Sequence, residues 1–230
     1  MRSFLGFVVL VVLLISVFAF AVVPLAGPGL VSAVVRGTPP LRGQDVTVTA
    51  RVGPADLLRG EIGRIEIAGN VRIDSTMAAE LTVSIDDLSV LDRSFGNLDG
   101  QAAAVVVNQP DGTSLELQDF QVSGDSESLI ASGEIAADEV VRLLTVRLAV
   151  TGVPVDAVRL GSDVVVLTIQ GQEIESRLSI AGDSVLLTPA NGPPQVVVSG
   201  TAIDPWRLIA LDVTPAGITV QARLTGARLG

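Results

Sequence analysis

Apolar and polar residues alternate one for one along much of this chain, and the alternation restarts at short intervals. Val46-Thr47-Val48-Thr49-Ala50-Arg51-Val52, Leu81-Thr82-Val83-Ser84-Ile85, Leu115-Glu116-Leu117, Ile174 to Ile180, and Ile218-Thr219-Val220-Gln221-Ala222-Arg223-Leu224 all show it. A period of two puts every apolar side chain of an extended segment on one face, so these segments predict half-buried strands. Turn residues separate them at Asn97 to Gly100, Asn108 to Gly112, Gly124-Asp125, Gly161-Ser162-Asp163, Gly182-Asp183 and Asn191 to Pro194. Such short spacing favours antiparallel hairpins over βαβ units. Three runs are apolar on both faces: Ala102 to Val107, Val164 to Ile169 and Val196 to Val198. They predict strands shielded on both sides by a covering layer, a second sheet or an apolar ligand.

Helical signals are few. Pro54 to Gly60 has Pro at a first helical position and Gly at its stop. Ala136 to Leu144 opens on Asp138-Glu139 and sets Val140, Val141 and Leu144 to one side, which predicts a short helix. Thr145 to Thr151 alternates again and reads as a strand. Asp204 to Ile209 reads as a helix capped by Asp204. No internal linker divides residues 45–228, which read as one domain. Within it, Thr47 to Val52 and Thr219 to Leu224 look alike, as an ancestral repeat would or, in the preferred reading, as two exposed edge strands under one constraint would.

In front of this body lies a segment of different character. Phe4 to Val23 is a run of twenty residues without a charge, preceded by Arg2. At 1.5 Å per residue a helix of this length spans roughly 30 Å, the hydrocarbon thickness of a bilayer. Residues 1–25 therefore read as a transmembrane anchor or an export signal, with Phe4, Leu10, Leu14, Phe18 and Val23 as anchor positions. Ala19-Phe20-Ala21 fits a signal cleaved after Ala21, while the length of the run favours an uncleaved anchor. With Arg2 in front and no further positive charge before Arg36, the N-terminus is expected in the cytoplasm and the body outside it. Cleavage would instead make the body a secreted protein. Residues 26–44, rich in Pro and Gly, read as a spacer.

Composition removes most catalytic chemistry. The chain has no Cys, His, Lys or Tyr, and all fifteen positive charges are Arg. Disulfides, thiolate and imidazole chemistry, Schiff bases and P-loops are thereby excluded. Gly-Asp-Ser occurs at Gly124 and at Gly182, the triplet of the GDS-type lipases and esterases. That chemistry needs a His, and both triplets sit between strands, where Gly-Asp is turn chemistry. Asp86-Asp87 reads as a bulge with a solvated charge, because Leu88 and Val90 resume the alternation displaced by one residue. No metal-ligand spacing or dinucleotide fingerprint is present, so neither a metal nor a cofactor is expected, and an enzyme is not. The net charge of −10 argues against a nucleic-acid partner. Residues 31–75 are the least acidic part, with six Arg against five acids, while residues 76–230 carry eight Arg against twenty acids. Trp206, the lone Trp, reads as a partly buried core residue or an interfacial anchor.

Asp56 to Ile67, with its Leu57-Leu58-Arg59-Gly60 turn, followed by Asn70-Val71-Arg72-Ile73, resembles the LmeA-like phospholipid-binding proteins of bacterial cell envelopes. Leu81 to Leu91, Gly182 to Pro189 and Leu211 to Val220 are similar to later strands of that family. The resemblance covers roughly residues 45–226 and rests on structural motifs. It implies a β-dominated α+β fold, a curved antiparallel sheet with few helices like the tubular lipid-binding modules. It also implies a membrane-associated protein that binds phospholipid. Headgroup contact is then expected of Arg59, Arg64 and Arg72, which flank the family-like strand. The competing expectation is a structural or interaction β-domain of the envelope without a lipid cavity.

Overall fold

The computed structural model describes residues 41, 44–53, 56, 59–73, 76–89, 91–108, 114–150, 152, 154–182, 184–198 and 206–226. The apolar run and its anchor positions Phe4, Leu10, Leu14, Phe18 and Val23 lie outside them, as does most of the spacer. Pro54, Ala55, Leu57 and Leu58 of the expected first helix also lie outside them. Among the described residues no helix is long and apolar enough to cross a membrane.

The body is β-dominated and antiparallel, as the alternation predicts. Six strands come first: β1 (Val46–Arg51), β2 (Glu61–Ile73), β3 (Thr76–Ser89), β4 (Asn97–Asn108), β5 (Ser114–Gly124) and β6 (Ser128–Ala136). The helix α1 (Ala137–Val150) follows. Then come β7 (Ala157–Leu160), β8 (Val165–Ile169), β9 (Gln172–Ala181), β10 (Ser184–Pro189), β11 (Gln195–Val198), β12 (Arg207–Thr214) and β13 (Gly217–Thr225). They form two sheets, an open eight-stranded one ordered β1-β2-β3-β4-β5-β6-β13-β12 and a five-stranded one ordered β11-β10-β9-β8-β7.

The large sheet curves because its strands carry extra residues along common lines. Glu80 in β3 and Asp119 in β5 have positive φ, 52° and 48°. The registers of β4 with β3 and with β5 set both residues beside Ala103. The register slips by one on the outer sides of this trio, between β2 and β3 and between β5 and β6. Three adjacent strands therefore bulge together, which bends the sheet without breaking its middle ladders. Asn70 steadies the bend by accepting the Glu80 N–H through Oδ1 at 2.9 Å.

A second line runs through Asp86-Asp87. The buried neighbours Ile85 and Leu88 stand three apart, as do Ile62 and Ile65 on β2 and Phe95 and Leu98 across the turn. Asp87 takes φ 53° while Ile62–Leu88 and Arg64–Asp86 stay in register. The displaced alternation at Asp86-Asp87 is thus a kink shared by neighbouring strands, not a slip against one of them. Around these bends the concave face gathers a first apolar core from Ile65, Ile67, Val83, Leu98, Phe120 and their neighbours. Gly100 belongs to it, since a Cβ there would stand 2.9 Å from a Val122 methyl and 3.4 Å from one of Val83.

The sequence expectations need five corrections. Thr145 to Val150 is not a strand, because α1 runs to Val150, with Gly152 at φ +80° just beyond; Thr151 lies outside the described residues. Val140, Leu144 and Leu148 supply one buried stripe at intervals of four, whereas Val146 and Val150, apolar in the alternating reading, stay 45% and 79% exposed. Arg207 to Thr214 is a strand, where Asp204 to Ile209 reads as a helix, because it pairs with β13 and turns Val213 inward. Asn97 to Gly100 begins β4 and is not a turn; the chain reverses at residues 91–93. Ala102 to Val107 and Val196 to Val198 are not shielded on both faces, since Ala103 and Val196 are exposed. Last, β13 is an interior strand between β6 and β12, so it and β1 do not look alike because both are edges.

In β8 the shielding on both faces holds, with Val165, Val166 and Leu167 all buried. The predicted turn at Gly124-Asp125 also holds. Asp125 Oδ1 accepts the N–H groups of Glu127 at 2.8 Å and Ser128 at 2.9 Å. Asp138 and Glu139 occupy the first turn of α1 as expected.

Candidate functional site

The second apolar core lies where α1 packs against β6, β7, β11 and β13. Two opposed surfaces meet there, the concave face of the large sheet and the inner face of β9–β11. The helix stripe reaches part of the space between them. On the large sheet the facing residues include Ala131 and Gly133 of β6 and Ala222 of β13, side chains too short to fill the remainder.

What results is a cavity of about 200 Å³, partly open to solvent. Leu115, Leu117 and Phe120 wall one side; Leu143 and Leu144 of α1 another; and Leu178, Val185 and Val197 the side of the small sheet. Trp206, 1% exposed, stands in the wall next to β12. It belongs to the first apolar core, as the core expectation has it, but is fully rather than partly buried. Arg147 and the Trp206 indole supply polar side-chain groups to the lining, and Arg147 is the one charged residue among the described residues that line it.

Arg147 and Arg142 lie on the same helix with different surroundings. Arg142 grips Glu139 through Nε to Oε2 at 2.9 Å and Nη2 to Oε1 at 2.6 Å. It also donates to the Ser114 carbonyl, which ties α1 to the start of β5. Arg147 is exposed and enters none of the ion pairs found among the described residues.

The three arginines expected to meet a headgroup are elsewhere. Arg59 precedes β2 and pairs with Asp56 at 2.8 Å and Glu61 at 3.1 Å. Its hydrogen bond to Asp56 and the charge of Glu61 hold the guanidinium above its ordinary pKa. Arg64 pairs with Glu66 at 2.7 Å and Asp86 at 3.5 Å. The hydrogen bond Arg64 donates, with one from Thr49, lowers the Glu66 carboxyl below its ordinary value. Arg72 is exposed near the far end of β2, where the Gln44 side chain holds its backbone N–H and carbonyl. Eight residues of strand put Arg64 and Arg72 about 27 Å apart, too far for one headgroup. None of the three lines the apolar cavity.

Arg64 and Glu66 instead border a depression of about 400 Å³ on the face of β1–β4, with Thr47, Thr49, Ser84 and Asp99. It is larger than the apolar cavity but shallow and polar, and Arg64 and Glu66 are already engaged with one another. Among the described residues no group of acids is placed to hold a metal ion.

Arg147 and the wall role of Trp206 escape the sequence pattern. With α1 ending at Leu144, Arg147 falls on a strand; the helix runs six residues further, to Val150, and sets Arg147 one turn beyond Leu143. No family model, curated protein or solved structure matches this chain.

Proposed function

We propose that this protein binds the acyl part of a phospholipid or related amphiphile in the cavity between α1, the concave face of the large sheet and the small sheet. The observation that carries this reading is a partly open cavity of about 200 Å³ lined almost wholly by aliphatic side chains. It exceeds the roughly 150 Å³ apolar cavity that accepts a benzene ring in an engineered protein. Each methylene transferred from water contributes about 0.8 kcal/mol, so a short stretch of acyl chain suffices for useful affinity. The resemblance of Asp56 to Ile73 and the later strands to the LmeA-like proteins supports the same ligand class. If the run at Phe4–Val23 stays in the mature protein, it tethers this cavity near a bilayer as an envelope lipid-handling module.

The test is native mass spectrometry of the full chain, before and after delipidation and on adding a lysophospholipid. Copurifying lipid, or uptake of one lipid per chain, is the expected result. A chain that carries none and takes up none would favour the structural or interaction β-domain.

A further inference from the structure

Resting on that reading, we propose that Arg147 selects the ligand's head, so that the cavity takes amphiphiles with an anionic head in preference to neutral ones of equal chain length. The inference stands on where Arg147 lies and on what it does not touch. It lines the cavity that is otherwise apolar, and it remains solvent-exposed. The ion pairs of the described residues engage Arg59, Arg64, Arg142 and Arg159, with Arg147 outside them.

Helix geometry supports the direction of its reach. Side chains on a helix lean toward its N-terminus, so Arg147 projects back over Leu143 and Leu144, both in the cavity wall. Arg147 stands in the last turn of α1, where the negative end of the helix dipole favours its charge, and the lean carries its guanidinium away from that end. An acyl chain lying against Leu143 and Leu144 then has its polar end within reach of the guanidinium. Guanidinium forms forked charge-assisted hydrogen bonds to carboxylate and phosphate alike. The shared chemistry is therefore an anionic oxygen pair on an apolar tail, whether from a fatty acid or from an anionic phospholipid.

Trp206 makes the test direct, because the lone Trp of the chain stands in the cavity wall. Its fluorescence is titrated in the full chain, kept soluble by a fluorinated surfactant, with palmitate, palmitoyl lysophosphatidic acid and hexadecanol. Parallel titrations use Arg147→Ala and Arg147→Glu. The two anions are expected to bind about threefold to fivefold more tightly than the alcohol, the scale of a solvent-exposed ion pair. Arg147→Ala should remove that preference, Arg147→Glu should invert it, and the alcohol's affinity should hold in both. Preference for only one anion identifies carboxylate or phosphate as the head and supports the inference. Equal affinity for anions and alcohol in the native chain, or a preference that survives Arg147→Ala, overturns it while leaving the cavity reading intact. No binding of any of the three overturns both.

Discussion

The first core is built mainly from side chains of the curved large sheet, with Leu41 and Trp206 packed among them, whereas the core around α1 is closed by a helix and a second sheet set opposite. In the first, Leu98 stands opposite Ile85, and Gly100, between Val83 and Val122, has no room for a methyl group. Where the first core borders the second, β6 and β13 present Ala131, Gly133 and Ala222, and the helix stripe of Val140, Leu144 and Leu148 does not reach across all the space. The cavity thus arises from short side chains at facing positions, not from a shortage of apolar residues. Protein interiors ordinarily pack to crystal density, so a space of this size among aliphatic side chains is the departure on which the proposed lipid site rests.

Truncation should separate the two cores most strongly. Leu98 is wholly buried in the close-packed core, and Leu98→Ala is expected to cost about 3–4 kcal/mol. Leu143→Ala, at the wall of an existing cavity, should cost about 1 kcal/mol, because the removed atoms already lack neighbours on one side. Urea unfolding of both variants measures the difference, and equal losses would mean that the two cores pack alike.

Enlargement should reverse the order. Ala78→Leu, at a fully buried position, forces an overpacked core and is expected to cost about 1–3 kcal/mol. Ala222→Leu places its extra carbons toward the cavity and should leave stability unchanged or raised while reducing lipid uptake. A loss of stability at Ala222 as large as that at Ala78 would show that the cavity wall cannot accept the added volume.

The smallest effect concerns pH and falls on the large-sheet side. The Ser128 and Glu127 N–H groups lower the Asp125 carboxyl below its ordinary value, and Arg64 with Thr49 lowers that of Glu66. Both groups bind protons more weakly when folded than when unfolded. Their contribution is therefore fully present above the unfolded carboxylate pKa, about 4, and is lost as pH falls through the folded values. Both sites are exposed, so the acid slope should be shallow, and Asp125→Ala should flatten it further. Unfolding midpoints measured between neutral pH and pH 3 check this; an unchanged slope in the variant would remove Asp125 from the account.

Much of the large sheet is legible in the residues themselves. The alternation at Val46 to Val52 and at Leu81 to Ile85 reports which side chains turn inward, and Asp86-Asp87 reports the displacement that becomes a shared kink. Gly124-Asp125 reports its turn through the chemistry of one carboxylate and two amides. The candidate site is less legible. Arg59, Arg64 and Arg72 stand in or just before β2, yet Arg59 and Arg64 pair with acids on the outer surface, and tertiary placement decides a pairing such as that of Arg64 with Asp86. Thr145 to Thr151 satisfies a period of two and, through Leu144 and Leu148, a period of four as well. Local pattern cannot choose between them.

The sequence by itself therefore determined that this body is antiparallel β, where many of its turns fall, and that imidazole and thiol chemistry are absent. Those properties follow from dihedral preference, side-chain period and residue type, all of which act within a few residues. Only the tertiary structure decided that α1 continues to Val150, that Arg207 to Thr214 becomes a strand, and that Arg147 and Trp206 meet at one apolar cavity. These outcomes depend on which surface each segment finds to bury itself against. That is set by long-range packing between two sheets and a helix, and the free energy gained there exceeds the small differences in local preference.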